Sequence, residues 1–277
     1  MNSSQYVRPL SAESAGTAPG RGRLQGRRIL VVGGGQQVFD AATDPVGNGR
    51  AISLLCAREG AKVAVTDRNR PSAAETLAMV EREGGRGCVI QADIGIEADV
   101  ARMIDEARTA LGGLDGMVLN VGVAAGTLGL ENTVVAEWDK VLAVNLRGSM
   151  LCCRDGLRHL DNGASVVFIS SAAALKAGTR SASYDASKAA LAALMRNVAL
   201  EGAPRGIRSN IVAPGLVDTP LGRAATAGRP ARAATLLPFG RQATGWEVAY
   251  AALFFLSDES VYVNAQTLVV DSGMTGI

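Results

Sequence analysis

The chain has 277 residues, is 48% hydrophobic, and carries 28 basic against 26 acidic residues for a net charge of +2. That length suits one α/β domain with a sizeable core, and the near-neutral balance excludes the basic field that nucleic acid or an anionic membrane demands. Cys56, Cys88, Cys152 and Cys153 show no Cys-x-x-Cys spacing and sit in apolar runs, which points to core packing in a reducing cytoplasm. The single histidine, His159, stands beside Leu160, Asp161 and Asn162 and reads as a surface or capping residue, so no metal site is expected. No apolar stretch is long enough to span a bilayer, and the first residues lack the apolar block of a secretory signal.

Residues 1–25 are rich in Ser, Gly, Ala, Pro and Arg without periodic hydrophobicity, and read as a disordered or draped, flexible tail. A transit peptide would also bear arginines and few acids, but no amphipathic helix can be drawn through these glycines and prolines. From Arg28 short apolar runs alternate with longer helical ones. The strands are RILVVG, AKVAVTD, GCVIQAD, DGMVLNV, SVVFISS, IRSNIVAP and QTLVVD; helices fall near 47–59, 72–84, 97–111, 134–158, 181–203 and 245–257. This alternation predicts a single Rossmann-like domain over 26–277, an α/β doubly wound parallel sheet with its ligand crevice at the carboxyl ends of the strands.

Chemistry concentrates in SAAALKAGTRSASYDASK, residues 171–188. Tyr184 and Lys188 are four apart in a helical run and project from one face. An ammonium beside a phenol favours the phenolate and lowers its pKa, which would make Tyr184 an acid-base group. Ser171 ends an apolar strand, where its hydroxyl reaches the same substrate oxygen. With a glycine-rich turn after the first strand and Asn-Val-Gly after a later one, the set resembles the short-chain dehydrogenase/reductase family from about Gly26 to Met274.

The resemblance implies roles for further residues. Gly34, Gly47 and Gly49 stand for the family's Gly-x-x-x-Gly-x-Gly, whose glycines let the backbone approach a pyrophosphate at a helix N-terminus. Twelve residues separate Gly34 from Gly47 where the family has three, a surplus centred on the Gln36–Pro45 insertion with its Asp40 and Asp44. Asp67 ends the second strand, where a carboxylate reaches ribose hydroxyls and repels a 2′-phosphate or merely closes a turn; Arg68 beside it is able to pair with phosphate. Asp93 and Ile94 fall where the family grips adenine. Asn120 and Gly122 resemble Asn-Ala-Gly, with Leu119 in place of a preceding asparagine. Asn145, in mid-helix, corresponds to the asparagine that interrupts helical bonding and holds a relay water to the lysine. Pro214, Gly215, Val217 and Thr219 would line the nicotinamide, and the segment after Pro220, with Arg223, Arg229, Arg232 and Arg241, would cover the substrate, its arginines forming a solvated face or meeting an anion.

The expectation is an oxidoreductase moving hydride between a nicotinamide, NAD in preference to NADP, and a secondary alcohol or ketone. Catalysis would fall to Asn145, Ser171, Tyr184 and Lys188, in a cytoplasmic homotetramer. The small or apolar residues 175–183, those near Ala124 and those after Pro220 suggest a modest, mostly uncharged substrate. Two rivals use the same fold. A halohydrin-type lyase would carry arginine at Lys188, and a catalytically silent scaffold has no need of all four polar groups.

Overall fold

A computed structural model describes residues 6–40, 42–125, 129–227, 229–233 and 235–277. Seven parallel strands form one sheet: β1 (Arg28–Val32), β2 (Lys62–Asp67), β3 (Arg86–Gln91), β4 (Gly116–Leu119), β5 (Ser165–Ile169), β6 (Arg208–Pro214) and a last strand, Thr267–Val270. They lie in the order β3, β2, β1, β4, β5, β6, last strand, so the connection reverses direction between β1 and β4. All seven expected strands are present.

Strand side chains alternate between faces, and each face builds its own core. Ile29, Val31, Val167 and Ile169 pack with α2 (Asn48–Arg58), α3 (Arg70–Arg82) and the helix Gly245–Leu256, α1 being the short amino-terminal helix Ala12–Ala15. Leu30, Val32, Val166 and Phe168 face α4 (Glu97–Leu111), Ser149–His159 and Ala182–Gly202. Phe168 and Leu30 are fully buried; each such side chain stabilises the fold by roughly 1.5–3 kcal/mol. Helix ends follow local chemistry. Asn69 caps α3 through the Ser72 amide, with Pro71 in the first turn, and α4 stops at Gly112 in the left-handed region. Thr244 and Glu247 form a reciprocal capping box at the start of Gly245–Leu256.

The expected helix over 134–158 is three pieces: α5 (Val135–Leu142), a π segment Ala143–Gly148, and α6 (Ser149–His159). The stretch holding Tyr184 and Lys188 opens α7 (Ala182–Gly202), and the segment after Thr219 forms α8 (Pro220–Thr226) and the short α9 (Pro230–Ala233), ahead of α10 (Gly245–Leu256).

The amino-terminal segment differs from a flexible tail. Residues 1–5 lie outside the described residues, but from Arg8 the chain is draped over α2 and α10 by specific bonds. Ser14 donates to Glu247 at 2.9 Å, Thr244 donates to the Ser14 carbonyl at 2.7 Å, and Arg58 donates to the Gly16 and Ala18 carbonyls. Buried Glu59 accepts from the Arg21 and Arg23 amides and from the Arg23 guanidinium, and Leu24 is fully buried. Composition concealed this order because the partners are single polar atoms far along the chain rather than a periodic apolar face. The four cysteines are free; burial pushes the thiols of Cys56 and Cys152 up to about 12, which leaves them inert packing groups. His159 lies 3.5 Å from Asp105 at the end of α6, and no cluster of metal-ligating side chains occurs among the described residues.

Candidate active site

Ser171 follows β5 and caps the 3₁₀ turn Ala172–Ala174, its hydroxyl accepting from the Ala173 amide at 3.2 Å. Tyr184 and Lys188 occupy the first two turns of α7. The Lys188 ammonium is sealed in: Nζ donates to the Ile169 carbonyl at 2.9 Å and reaches the Val121 carbonyl at 3.4 Å. Gly122 makes that approach possible, since a Cβ there would sit 3.0 Å from Nζ. With no carboxylate to balance it, burial pulls the Lys188 pKa down to about 8.

Nζ lies 5.9 Å from the centre of the Tyr184 ring, over its face. The expectation that Lys188 lowers the phenol pKa therefore needs correction. Burial raises the Tyr184 pKa, against the opposing pull of a Ser171 hydrogen bond and the Arg232 charge, while Asp185 reinforces the rise. The ring's desolvation outweighs its polar neighbours, and the ammonium spends its hydrogen bonds on carbonyls.

Asn145 sits in the π segment, fully buried. Its side chain clamps the backbone of Val123, accepting from N–H and donating to C=O, each at 2.8 Å, and donates to Ser187 Oγ at 2.9 Å. Ser187 in turn donates to the Tyr184 carbonyl at 2.8 Å. Asn145 thus ties the loop after β4 to the first turn of α7, and its side-chain hydrogen bonds go to Val123 and Ser187 rather than to Lys188. Ser187 escaped the sequence reading, although its place three residues after Tyr184 puts it on the same helix face.

Ser171 and Asn145 do not line the cavity at this site, whereas Ser170, Val123, Tyr184 and Lys188 do, along a space of about 720 Å³ that runs past Gly47–Gly49 to Asp67 and Asp93. Its chemistry fits a dinucleotide. The N-terminus of α2 points its first amides there without any side-chain cap, as an anion requires. A Cβ on Gly49 would run into the Gly33 carbonyl and the Asn120 amide that holds it with a 2.8 Å bond. Asp67 borders the cavity with one oxygen accepting from the Asn69 amide, and exposed Arg68 adjoins it. Asp93 accepts from the Gly95 amide, and buried Ile94 packs on Gly148.

Four expected contacts fall elsewhere. Gly34 backs onto Val65 and Ser53 beneath the turn, so Gly33 and Gly35 border the cavity instead. Pro214 pairs with Val270, Gly215 makes room for Asp271, and Val217 packs in the core; of that group Thr219 borders the cavity, capping α8. Pro214, the last residue of β6, is still held in the sheet rather than turned to the cavity.

The insertion is a closed loop, of which Ala41 lies outside the described residues. Gln36 ties its two ends together, accepting from the Gly47 amide at 2.7 Å and donating to the Pro45 carbonyl at 3.1 Å. Ser72 holds the Gln36 backbone, donating to its carbonyl and accepting from its amide. Asp40 and Asp44 do not border the cavity, as an adenosine-side role would need; they accept from the loop's own Ala42, Thr43, Phe39 and Asp40. Val38 and Phe39 border the cavity instead, and Arg223 of α8 donates to the Thr43 carbonyl at 2.8 Å.

A family model described as enoyl-(acyl carrier protein) reductase matches residues 42–275. Glucose 1-dehydrogenase of Gluconobacter oxydans is 34% identical over 93% of this chain and 95% of its own length. The chain belongs to the short-chain dehydrogenase/reductase family. Another dehydrogenase of similar length, the cis-4-hydroxycyclohexanecarboxylate dehydrogenase of Sinomonas cyclohexanicum, is 37% identical over 83% of this chain and 93% of its own. The crystal structure of a short-chain dehydrogenase from Burkholderia cenocepacia in complex with NADP superposes with a TM-score of 0.79 and 32% identity, covering 92% of this chain and all of that one. As a short-chain dehydrogenase/reductase, the protein is an oxidoreductase acting on CH–OH groups with a nicotinamide cofactor.

Proposed function

We propose that Tyr184 is the acid-base residue of a secondary alcohol dehydrogenase, assisted by Ser171, Lys188 and Asn145. The observation that carries this reading is the convergence of Tyr184 and Lys188 on the same cavity as the uncapped N-terminus of α2. When bound, the nicotinamide supplies or accepts the hydride. The raised pKa keeps Tyr184 protonated at neutral pH, ready to donate to the oxygen of a ketone. Ser171 and Arg232 favour its phenolate and so assist the reverse step. Asn145 is a positioning residue, holding the loop that supplies the Val121 carbonyl to Lys188. Val38, Phe39 and Leu221 at the cavity rim limit water.

NAD is the preferred cofactor in this reading, because the Asp67 carboxylate at the cavity wall repels a 2′-phosphate; exposed Arg68 is the group that would reverse the choice. A cytoplasmic setting is supported by four free cysteines. A homotetramer is supported by exposed Val134, Val135, Met150 and Leu200 on the α5 to α7 side and by the edge strand Thr267–Val270 with exposed Leu268. Light scattering at micromolar concentration is expected to give four times the 28.5 kDa chain mass, and a stable monomer would refute that assembly.

The deciding experiment is Tyr184→Phe, assayed with an alcohol panel at the nicotinamide absorbance and with NADH titrated by fluorescence. Turnover should fall ~10²–10⁴-fold with cofactor affinity nearly intact. Wild-type turnover in the variant would remove Tyr184 from its role, and a wild-type protein that binds NADH yet oxidises nothing would favour a silent scaffold.

A further inference from the structure

The arginines of this chain that are shielded from water are, with few exceptions, paired. Arg23 meets Glu59, Arg28 meets Asp115, Arg50 meets Glu75, Arg58 meets Glu83 and Arg241 meets Glu247. Buried Arg208 lacks an ion pair but donates to Ser260 and the Ser257 carbonyl, with Asp258 nearby.

Arg232 departs from that pattern, on a segment that Arg229 ties to the Thr179 carbonyl in the loop before Tyr184. It is half-buried on α9, donates from Nε to Thr226 Oγ1 at 3.1 Å, and forms no ion pair among the described residues. Its charge is felt at the Tyr184 hydroxyl, and its neighbour Arg229 adds a second positive charge that is also unpaired among the described residues. Arg229 is anchored, donating to the Thr179 carbonyl at 2.7 Å. Asp185, next to Tyr184 in the chain, accepts instead from the Thr179 hydroxyl at 2.5 Å. A guanidinium held in partial burial beside a like charge is costly, and burial accordingly draws the Arg232 pKa below the ordinary arginine range while leaving the group charged.

We propose that the substrate carries an anionic group, a carboxylate, sulfonate or phosphate, which seats on the Arg232 guanidinium with Arg229 behind it while Tyr184 meets the reacting oxygen. This rests on the dehydrogenase reading and replaces the mostly uncharged substrate suggested by the small residues of the surrounding loops. Guanidinium suits the role because its planar fork pairs with such anions through two hydrogen bonds, and the binding also relieves the Arg229–Arg232 repulsion. The site would discriminate by charge, since a neutral isostere leaves the buried cation unpaired.

The test uses matched pairs with the cofactor held constant: 4-hydroxycyclohexanecarboxylate against its carboxamide, and 3-hydroxybutyrate against 3-hydroxybutyramide. Each is assayed for kcat/KM and titrated calorimetrically into the full-length protein saturated with cofactor. Wild type should favour the acid in at least one pair by about 10- to 100-fold, the range of a charged hydrogen bond. Arg232→Gln should collapse that acid-to-amide ratio mainly through KM, Arg232→Lys should restore part of it, and Arg196→Gln, on an exposed stretch of α7, should leave the ratio where it was. Equal binding of acid and amide, or no binding of either acid, overturns the proposal, as does an Arg232→Gln variant whose loss lies in NADH affinity. Turnover of the amides alone would overturn the anion site and keep the dehydrogenase reading; calorimetric preference for the acids without any turnover would do the reverse.

Discussion

Replacing Lys188 with Met should make the cofactor-free protein more stable and the enzyme inactive. The lysine is sealed at 3% exposure with a pKa drawn from 10.5 to about 8. At about 1.4 kcal/mol per pH unit, holding that ammonium in the folded state costs roughly 3 kcal/mol near neutrality. Against it stand the bonds to the Ile169 and Val121 carbonyls, whose loss costs about 1–2 kcal/mol. Methionine matches the stem in length and flexibility, so the net gain expected for Lys188→Met is about 1–2 kcal/mol at pH 7. The sign with pH follows from the depressed folded pKa. Between about 8 and 10.5 the unfolded chain holds more protons than the folded one, so wild type gains stability as pH rises through that window and carries the full cost below it. Urea unfolding of both proteins without cofactor, at pH 7 and pH 10, reads the difference directly. The advantage of Lys188→Met should shrink or vanish at pH 10, while its turnover stays negligible at both. A variant less stable than wild type at pH 7, or an advantage unchanged by pH, would refute the reasoning.

Two further perturbations follow from the cavity. Wild type should prefer NAD over NADP by at least tenfold in kcat/KM, about 1.4 kcal/mol, and Asp67→Ala should erode that preference more than removal of residues 37–44 does, because Asp40 and Asp44 are spent inside the insertion; equal efficiencies in wild type would defeat the Asp67 argument. Gly49→Ala drives a methyl into the Gly33 carbonyl and the Asn120 amide that locks it, so NADH affinity should drop by about tenfold or more, or folded protein should be lost; a variant that binds NADH normally would show that the turn is not the cofactor cradle.

The sheet was legible because burial on both faces leaves near-continuous runs such as RILVV and SVVFI, rich in β-branched residues and too short for a buried helix. Tyr184 and Lys188 were legible as a pair because helical spacing fixes their shared face. What spacing does not fix is where a flexible four-carbon stem ends, and the ammonium goes to Ile169 and Val121 rather than to the phenol oxygen. Gly34 and Gly35 are indistinguishable in a run of three glycines, yet the turn aims them oppositely, one at Val65 and one at Asp67. The insertion showed its length and its charges but not that Gln36 would close it and turn Val38 and Phe39 to the cavity. Arg232 was visible only as one of several arginines on a polar segment, since lack of a partner is a property of the folded surroundings.

The draped amino-terminal segment also has a bearing on how the chain is made. Ser14 and Glu247 are joined across 233 positions, and the Arg8 amide bonds the Phe239 carbonyl. Synthesis delivers Ser14 ahead of its partner by 233 residues, so the amino-terminal segment must wait unpaired while the strands between assemble. Its docking is therefore a closing event, available only to a molecule translated through α10, and a ribosome-released fragment ending before residue 239 would expose that segment to proteolysis.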